Sequence, residues 1–274
     1  KVSTVGSLAP MIVELTKDLQ DPSGTSLYDA WRKPQGDDQG PAGGTRPDQS
    51  LAVTKIGSGS DHTVFINHAG VPVVDMTFDG PYGVYHSAYD SHHWVATVGD
   101  PGFRYGRLMA DLWGTMALRL ANAQVLPYDM ESYAASIRDF ERRLDDIPDL
   151  AAHLDRTAFT AAIARLRVAG RQLNHRLDSA LNAGALDAAQ VDAVNATLLQ
   201  FERVWLHEPG IPGRAWFKHL LYAPRYTYAA MSLPGVTEAA ETKDWTRATA
   251  QLGLLVTKVE AAIALTDRAT ARLT

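Results

Sequence analysis

The loop from Gly80 to Asp90 holds the residue types in this chain that are best suited to chemistry. Its eleven residues include three tyrosines, one histidine, two glycines and one proline. Glycine and proline interrupt regular structure, whereas tyrosine and histidine each combine an apolar ring with a polar tip. Because side chains often converge on a ligand in a loop that follows an apolar strand, we expect this loop to line a binding site.

His86 has two interpretations from its own surroundings, either a packed histidine with one hydrogen bond or a metal ligand. Asp90, His92 and His93 follow closely, and their spacing resembles a local metal-binding array. Such arrays depend on helical geometry, which this loop is not predicted to have. Asp90 is equally suited to cap the next segment, and the two later histidines to lie at the surface. The chain has no cysteine, so any metal must be bound by histidines and carboxylates.

Two further segments carry small or polar groups in suggestive patterns. Gly57–Asp61, of sequence Gly-Ser-Gly-Ser-Asp, lacks both the Gly-Lys-Ser/Thr ending of a phosphate loop and the Gly-x-Ser-x-Gly pattern of serine hydrolases. It suits either a substrate that approaches the backbone, with Ser58 or Ser60 donating hydrogen bonds, or a plain turn. The tyrosines and arginine of Tyr222–Tyr228 suit either carboxylate binding or attachment of the helices to the first domain.

The elements that must position these residues follow an α/β pattern in the first part of the chain. We predict a strand at Val53–Ile56, a helix at His62–His68 and a buried strand at Val71–Phe78. Gly80–Asp90 follows the second strand directly, where open α/β sheets place their binding sites. Lys33–Ser50, rich in glycine and proline, is predicted to be an exposed, mobile insertion.

From residue 102 onward the pattern is helical. We predict a long helix over Phe103–Ala123 that is buried on several sides. Apolar residues at spacings of three and four predict four amphipathic helices that pack as a bundle, with a structured, aromatic-rich excursion at 207–235. We place the domain change near residue 125. The four helices are expected near residues 133–147, 154–182, 187–206 and 244–271.

Composition limits the classes of function. Of the 274 residues, 46% are hydrophobic and 21% are charged, which is typical of a soluble globular protein with a sizeable core. The net charge of −5, without a strongly basic segment, argues against nucleic acid as a partner. No run of eighteen uncharged apolar residues occurs, so we predict no membrane segment.

Three segments in order, Ile56–Asp61, Gly70–Asp75 and Tyr82–Asp90, resemble the glutamate carboxypeptidase II branch of the M28 zinc peptidases. Asp100–Phe103 and Asn122–Pro127 continue the match, and the later helices are similar to the transferrin-receptor-like dimerisation domain. The resemblance implies α/β plus all-α architecture. Residues 1–124 would be the truncated C-terminal part of a zinc-exopeptidase sheet domain, and residues 125–274 a helical dimerisation domain.

The resemblance also implies the site residues. Family members hydrolyse peptides with a water activated by two zinc ions, whose charge stabilises the tetrahedral intermediate. His86 would be the last zinc ligand, and Tyr85 would donate its hydroxyl to the developing oxyanion. Tyr228 would reach the terminal carboxylate of the substrate from the helical domain. The residues implied to line the substrate cleft are Ser58, Gly59 and Ser60.

Departures from the family pattern limit what is inherited. Thr227 stands where the glutamate-specific members have lysine, and Asp75 and Thr77 stand where they have arginines. We therefore expect a broader aminopeptidase or carboxypeptidase specificity than one for acidic dipeptides. The other zinc ligands and the general base are expected upstream of Lys1, so the chain by itself is expected to be inactive.

Partners and location follow from the same resemblance. It implies a homodimer through the helical domain, a peptide substrate for the longer protein and an extracytoplasmic location. A noncatalytic protein of the same architecture, in the manner of the transferrin receptor, is the alternative.

Overall fold

A computed structural model describes residues 1–32, 53–54, 56–80, 82–225 and 228–273. The predicted insertion Lys33–Ser50 lies outside the described residues. The chain divides into two compact units, and the first consists of 1–2, 10–54 and 76–123. The second unit consists of 3–9, 55–75 and 124–274.

The strands are short. In chain order they are β1 (Val2–Thr4), β2 (Val53–Thr54), β3 (Val74–Met76), β4 (Tyr222–Pro224) and β5 (Ala230–Ser232). The first three form a sheet of order β2-β1-β3. β4 and β5 form an antiparallel pair in which Tyr222 lies opposite Ser232 and Pro224 opposite Ala230.

The predicted buried strand at Val71–Phe78 is wrong in length and in burial. Only the middle of the predicted segment, β3, is a strand. Within the whole predicted segment 71–78, Val73 is the single buried residue. Within the described part of the chain, a sheet of three strands with two or three residues each is too small to cover both faces of β3.

The helices carry most of the described structure. The α-helices are, in chain order, α1 (Ala9–Asp18), α2 (Leu27–Arg32), α3 (His62–Val64), α4 (His92–Trp94), α5 (Arg104–Asn122), α6 (Met130–Arg142), α7 (Leu150–His153), α8 (Thr157–Asn182), α9 (Ala188–Leu198), α10 (Pro234–Glu241) and α11 (Trp245–Ala271). π-helical turns at Phe65–Ala69 and Val95–Gly99 continue α3 and α4. 3₁₀ turns occur at Arg143–Asp146 and Glu202–Trp205.

Helix α5 of the first unit is confirmed as a helix, but its predicted burial on several sides is wrong. Its buried residues, Leu108, Leu112 and Met116, are spaced by four and form a single stripe. Trp113 is 46% exposed and Leu118 is 64% exposed. Large apolar residues outside that stripe therefore face away from the core of the unit.

The second unit contains the predicted helical bundle. α8 packs extensively against both α6 and α11, and α11 also packs against α9 and α10. On α11 the buried residues recur every three or four positions, apart from the adjacent Leu265 and Thr266, which places them on one face of the helix. They are Ala248, Leu252, Leu255, Val259, Ala262, Leu265, Thr266 and Ala269.

Helix α11 also has the length and apolar composition of a membrane-crossing helix. Core helices of soluble proteins pass the same test, and one face of α11 is buried in the bundle. Composition therefore does not establish a membrane segment here.

A buried polar cluster lies at the centre of the second unit. The Tyr133 hydroxyl donates to Glu202 Oε1 at 2.8 Å, and His219 Nε2 lies 3.0 Å from the same oxygen. The Leu221 amide donates to His219 Nδ1, so Nε2 carries the ring proton and donates to the carboxylate. Tyr133 and His219 are fully buried, and Glu202 is 2% exposed.

The tyrosines around this carboxylate keep their protons. Burial first, and then the charge of Glu202, raises the pKa of Tyr133 and of Tyr222 well above the usual range. The same two causes raise the pKa of Tyr128 to about 12. At neutral pH each of these hydroxyls therefore remains able to donate a hydrogen bond.

Removing one donor from the cluster should destabilise the bundle. In Tyr133→Phe, Glu202 stays buried and loses a hydrogen bond, and we expect a loss of about 1–3 kcal/mol in the free energy of unfolding. Urea denaturation followed by circular dichroism measures this loss. Tyr89→Phe is the control, because Tyr89 is 77% exposed and its change should be within about 0.5 kcal/mol. Equal stability of the two variants would contradict the role of the cluster.

Candidate functional site

Tyr85 and His86 lie side by side on the surface of the first unit. Their rings are stacked, with centroids 3.8 Å apart and planes inclined by 20°. Tyr85 is 63% exposed. The backbone of His86 is left-handed, with φ of 58°, a conformation that costs energy for a residue with a Cβ and that occurs often at functional sites.

Ser87 fixes the loop around this pair. Its amide donates to the Val84 carbonyl at 2.9 Å and its hydroxyl to the same oxygen at 2.6 Å. The amides of Tyr89 and Asp90 donate back to Ser87, at 3.2 Å to its hydroxyl and 3.1 Å to its carbonyl. The first two bonds close a tight turn over residues 84–87 that contains His86, and the other two close a second turn directly after it.

Of the residues after the turn, His92 and His93 lie at the surface, as one of their two interpretations predicted, whereas the predicted cap Asp90 is wrong. Asp90 is not the cap of α4, because Ser91 occupies the N-cap position and its hydroxyl accepts from the Trp94 amide at 3.3 Å. The His92 ring lies 5.7 Å from that of Phe103. Within the described ranges, no three histidine or carboxylate side chains are grouped so that they could bind a metal ion. The described residues therefore do not form a complete zinc site, and His86 stays a predicted single ligand.

A cavity of about 880 Å³ also lies in the first unit. Its wall combines apolar, polar and aromatic residues, and neither Tyr85 nor His86 contributes to it. The aromatic residues that line it are Trp31, Phe78, Tyr82, Trp94 and Tyr105.

The predicted substrate-binding residues come together in the second unit. The Ser58 amide donates to the Tyr228 carbonyl at 3.4 Å. Gly59 has φ of +100°, and a Cβ there would lie 2.4 Å from Tyr228 Cδ1. A Cβ on Gly57 would lie 2.1 Å from the Tyr228 oxygen. Only glycines allow this approach, so the loop and the Tyr228 ring form one surface, on which Tyr228 is 56% exposed.

The glycine loop and the segment that carries Tyr228 are each held by hydrogen bonds of their own. The amide and hydroxyl of Thr63 donate to the Ser60 carbonyl at 3.1 and 2.9 Å, which starts α3. Asp61 holds the N-cap position without a side-chain hydrogen bond. Tyr228 lies between β4 and β5, where the Arg225 amide donates to the Ala229 carbonyl at 2.8 Å. Thr227 lies outside the described residues.

Asn67 is a residue that the sequence reasoning missed. Its side chain is 3% exposed, and its Oδ1 accepts from the amides of Lys218 and His219 at 3.1 and 3.2 Å. These partners are about 150 residues away in the chain. The one sequence signal was a polar residue beside the apolar residues of a predicted helix.

Comparison with known proteins identifies the chain's relatives. Residues 154–266 match the transferrin receptor-like dimerisation domain. A protein of Arabidopsis thaliana named probable glutamate carboxypeptidase LAMP1 is 32% identical over 244 residues, which are 86% of this chain and 33% of that protein. The chain belongs to the glutamate carboxypeptidase II and transferrin receptor-like family, of which it covers the C-terminal portion.

Other members of the family carry different names. The aminopeptidase NAALADL1 of Mus musculus is 27% identical over 277 residues, covering 93% of this chain and 36% of that protein. A Schizosaccharomyces pombe protein named as an inactive zinc metalloprotease is 28% identical over 179 residues, covering 60% of this chain and 22% of that protein. The chain thus spans about a third of the length of the first curated relatives it matches.

The contact between Gly59 and Tyr228 can be tested with a matched pair of glycines. Gly24 has a similar φ of +89°, but a Cβ at that position would have no atom within 4 Å, so Gly24→Ala measures backbone strain alone. We expect Gly59→Ala to lose about 1–3 kcal/mol more in the free energy of unfolding, because it also displaces the Tyr228 ring. Denaturation curves of both variants check this. Equal losses would show that the ring does not rest on Gly59.

Proposed function

We propose that this chain is the C-terminal portion of a zinc-dependent exopeptidase that removes a terminal residue from peptides. The observation that carries the proposal is the surface formed by Gly57–Gly59 and Tyr228, which joins two distant segments at the positions where the family resemblance requires substrate contacts. The peptidase names of the relatives support the same reaction class.

In this proposal, two residues of the first unit act on the reacting group. His86 supplies one ligand to zinc, and the remaining ligands come from segments outside this chain. Zinc, when bound, supplies an acidified water and positive charge. Tyr85, whose ring is stacked on His86 and largely exposed, donates its hydroxyl to the oxygen that becomes negative as the peptide carbonyl is attacked.

Substrate binding in the proposal belongs to the second unit. The backbone of Ser58 and Gly59 admits an extended peptide terminus, and the exposed Tyr228 ring lies along it. Asp75 is exposed and adds negative charge where glutamate-specific members have arginine. A neutral terminal residue is therefore favoured over an acidic one, because no cation replaces that arginine at position 75.

The helical unit has the proposed role of a dimerisation domain. The matched residues 154–266 begin just before α8 and end within α11, and so include the packed pair α8 and α11 but not α6. We extend the resemblance to location and propose that the protein acts outside the cytoplasm.

A noncatalytic protein is the second candidate, because one relative is named as an inactive zinc metalloprotease. Retention of the Tyr85–His86 pair favours the enzyme, since a binding protein has no need for a zinc ligand at this position. A sequence upstream of Lys1 that lacks the His-x-Asp and Glu-Glu ligand motifs would favour the noncatalytic candidate.

If His86 binds zinc, substitutions of His86 and of its neighbour Tyr85 should differ in their effect on bound zinc. In the longer protein, His86→Ala should lower hydrolysis of a peptide library by a thousandfold or more, about the scale set by loss of a metal ligand, and should lower bound zinc. Tyr85→Phe should reduce kcat by about 10²–10³ while zinc content is kept. Peptide assays and elemental analysis measure both quantities.

His93→Ala is the control for this experiment, because His93 is an exposed histidine seven residues along the chain. It should retain both zinc and activity. Full activity in His86→Ala would show that His86 is not a zinc ligand. Equal losses in His86→Ala and His93→Ala would show that the loss is not specific to His86.

The dimerisation role predicts the mass of the isolated chain in solution. Sedimentation equilibrium at micromolar concentration should give twice the 29.8 kDa of one chain, because obligate interfaces bury enough apolar surface to persist at that concentration. A single species with the mass of one chain would contradict the role.

A further inference from the structure

We propose that Asn67 is a positioning residue, which ties the substrate loop Gly57–Ser60 to the buried core of the helical unit. On this view the helical unit shapes the substrate cleft in addition to its role in dimerisation. The inference rests on the proposed function for the meaning of the loop, although its structural part can be tested without any activity.

Asn67 makes the kind of contacts that fix a backbone. It lies in the π-helical turn Phe65–Ala69, and its Oδ1 accepts from two successive amides, those of Lys218 and His219. Its Nδ2 donates to the Thr63 carbonyl at 3.0 Å. All three of these hydrogen bonds join the Asn67 side chain to main-chain groups, so Asn67 links two backbone segments rather than two side chains.

The anchor on the far side of Asn67 is rigid. His219 has no exposed surface, its ring donates to Glu202, and Glu202 also accepts from Tyr133 of α6. The backbone that Asn67 binds is therefore fixed by a buried carboxylate and its donors. Movement of His219 would leave that carboxylate short of a hydrogen bond in the core, which is costly.

Two successive hydrogen-bonded links connect Asn67 to the loop Gly57–Ser60. Thr63, whose carbonyl Asn67 binds, donates twice to the Ser60 carbonyl. Ser58, two residues earlier, donates to Tyr228 through a longer bond of 3.4 Å. Since Gly59 and Ser60 are themselves exposed, the loop gains little from burial. The Thr63 and Asn67 bonds therefore add to the anchoring that the buried Ile56 and the contact with Tyr228 give the two ends of the loop.

Hydrogen–deuterium exchange on the 274-residue chain tests this arrangement. Asn67→Leu keeps the branched shape of the side chain but removes every hydrogen bond. We expect exchange in the segment 56–63 to become about tenfold faster, the factor that corresponds to about 1.4 kcal/mol. Asn67→Asp keeps an acceptor for the Lys218 and His219 amides, but it loses the donation to Thr63 and places a buried charge beside that carbonyl, so a rise of about tenfold or more is expected here too. The Asn67→Asp variant replaces Asn67→Leu in this test if the leucine variant does not fold.

Asn195→Leu is the matched control. The Asn195 side chain also bridges distant backbone groups, accepting from the Leu126 amide at 2.9 Å and donating to the Gln124 carbonyl at 3.0 Å. It should speed exchange near residues 124–126 and leave segment 56–63 unchanged. Unchanged exchange of segment 56–63 in a folded Asn67 variant, or an equal rise in Asn195→Leu, would overturn the positioning role.

A kinetic measurement in the longer protein separates this inference from the proposed function. A loosened loop should raise KM about tenfold with kcat nearly unchanged, because the loop binds substrate and transition state alike. If Tyr228→Ala leaves peptide hydrolysis unaffected while Asn67→Leu still loosens segment 56–63, the proposed substrate site is wrong and the positioning role stands. A fall in kcat without a change in KM would contradict positioning.

Discussion

The buried carboxylate of Glu202 is the constraint on which the second unit depends. A carboxylate without water is strongly unfavourable unless donors surround it. Its donors come from α6, through Tyr133, and from the segment before β4, through His219. The carboxylate can therefore be buried only when three separate parts of the chain meet in one arrangement. Displacement of any of these three parts would leave the Glu202 carboxylate in the core without a hydrogen-bond donor.

The same requirement extends from the core to the surface. Holding His219 also holds the start of the β4–β5 region, which carries Tyr228. On the opposite side, His219 presents its amide to Asn67 and so to the segment that contains the glycine loop. One buried group thus determines the position of both partners in the contact between Gly59 and Tyr228. The bundle is consequently part of the architecture of the candidate cleft.

The sequence predicted local features well and long-range ones poorly. The stripe on α11 and the helix at α8 follow from a 3.6-residue period, which depends only on nearby residues. The predicted helix at 187–206 is divided into α9 and a 3₁₀ turn, because tertiary contacts set where hydrogen bonding tightens. The exposure of Leu118 on α5 was missed, since composition reports apolarity and not which faces have neighbours.

The site shows the same division. Tyr85 and His86 were recognisable because their residue types are unusual in a loop and match a family motif. Asn67 and Glu202 were not, because a single polar residue in a predicted helix is a weak local signal and their bonds join residues 152 and 69 positions apart. The pairing of Gly59 with Tyr228 came from resemblance alone, since no local pattern links positions so distant in the chain.

The backbone of His86 bears on the choice between an enzyme and a noncatalytic protein. A histidine at φ of 58° costs of order 1 kcal/mol relative to glycine, and here the Ser87 turn provides the bonds that keep it there. A protein that used this loop only for binding would gain stability from glycine at position 86, at no loss to the bundle. Phe103, Asp149, Leu233 and Lys243 also have positive φ, so the backbone alone does not distinguish His86. What distinguishes it is the stacking of its ring on an exposed tyrosine, which leaves the imidazole at the surface. The family resemblance gives this imidazole the role of a zinc ligand, so the catalytic proposal rests on that resemblance together with the exposed position of the Tyr85–His86 pair.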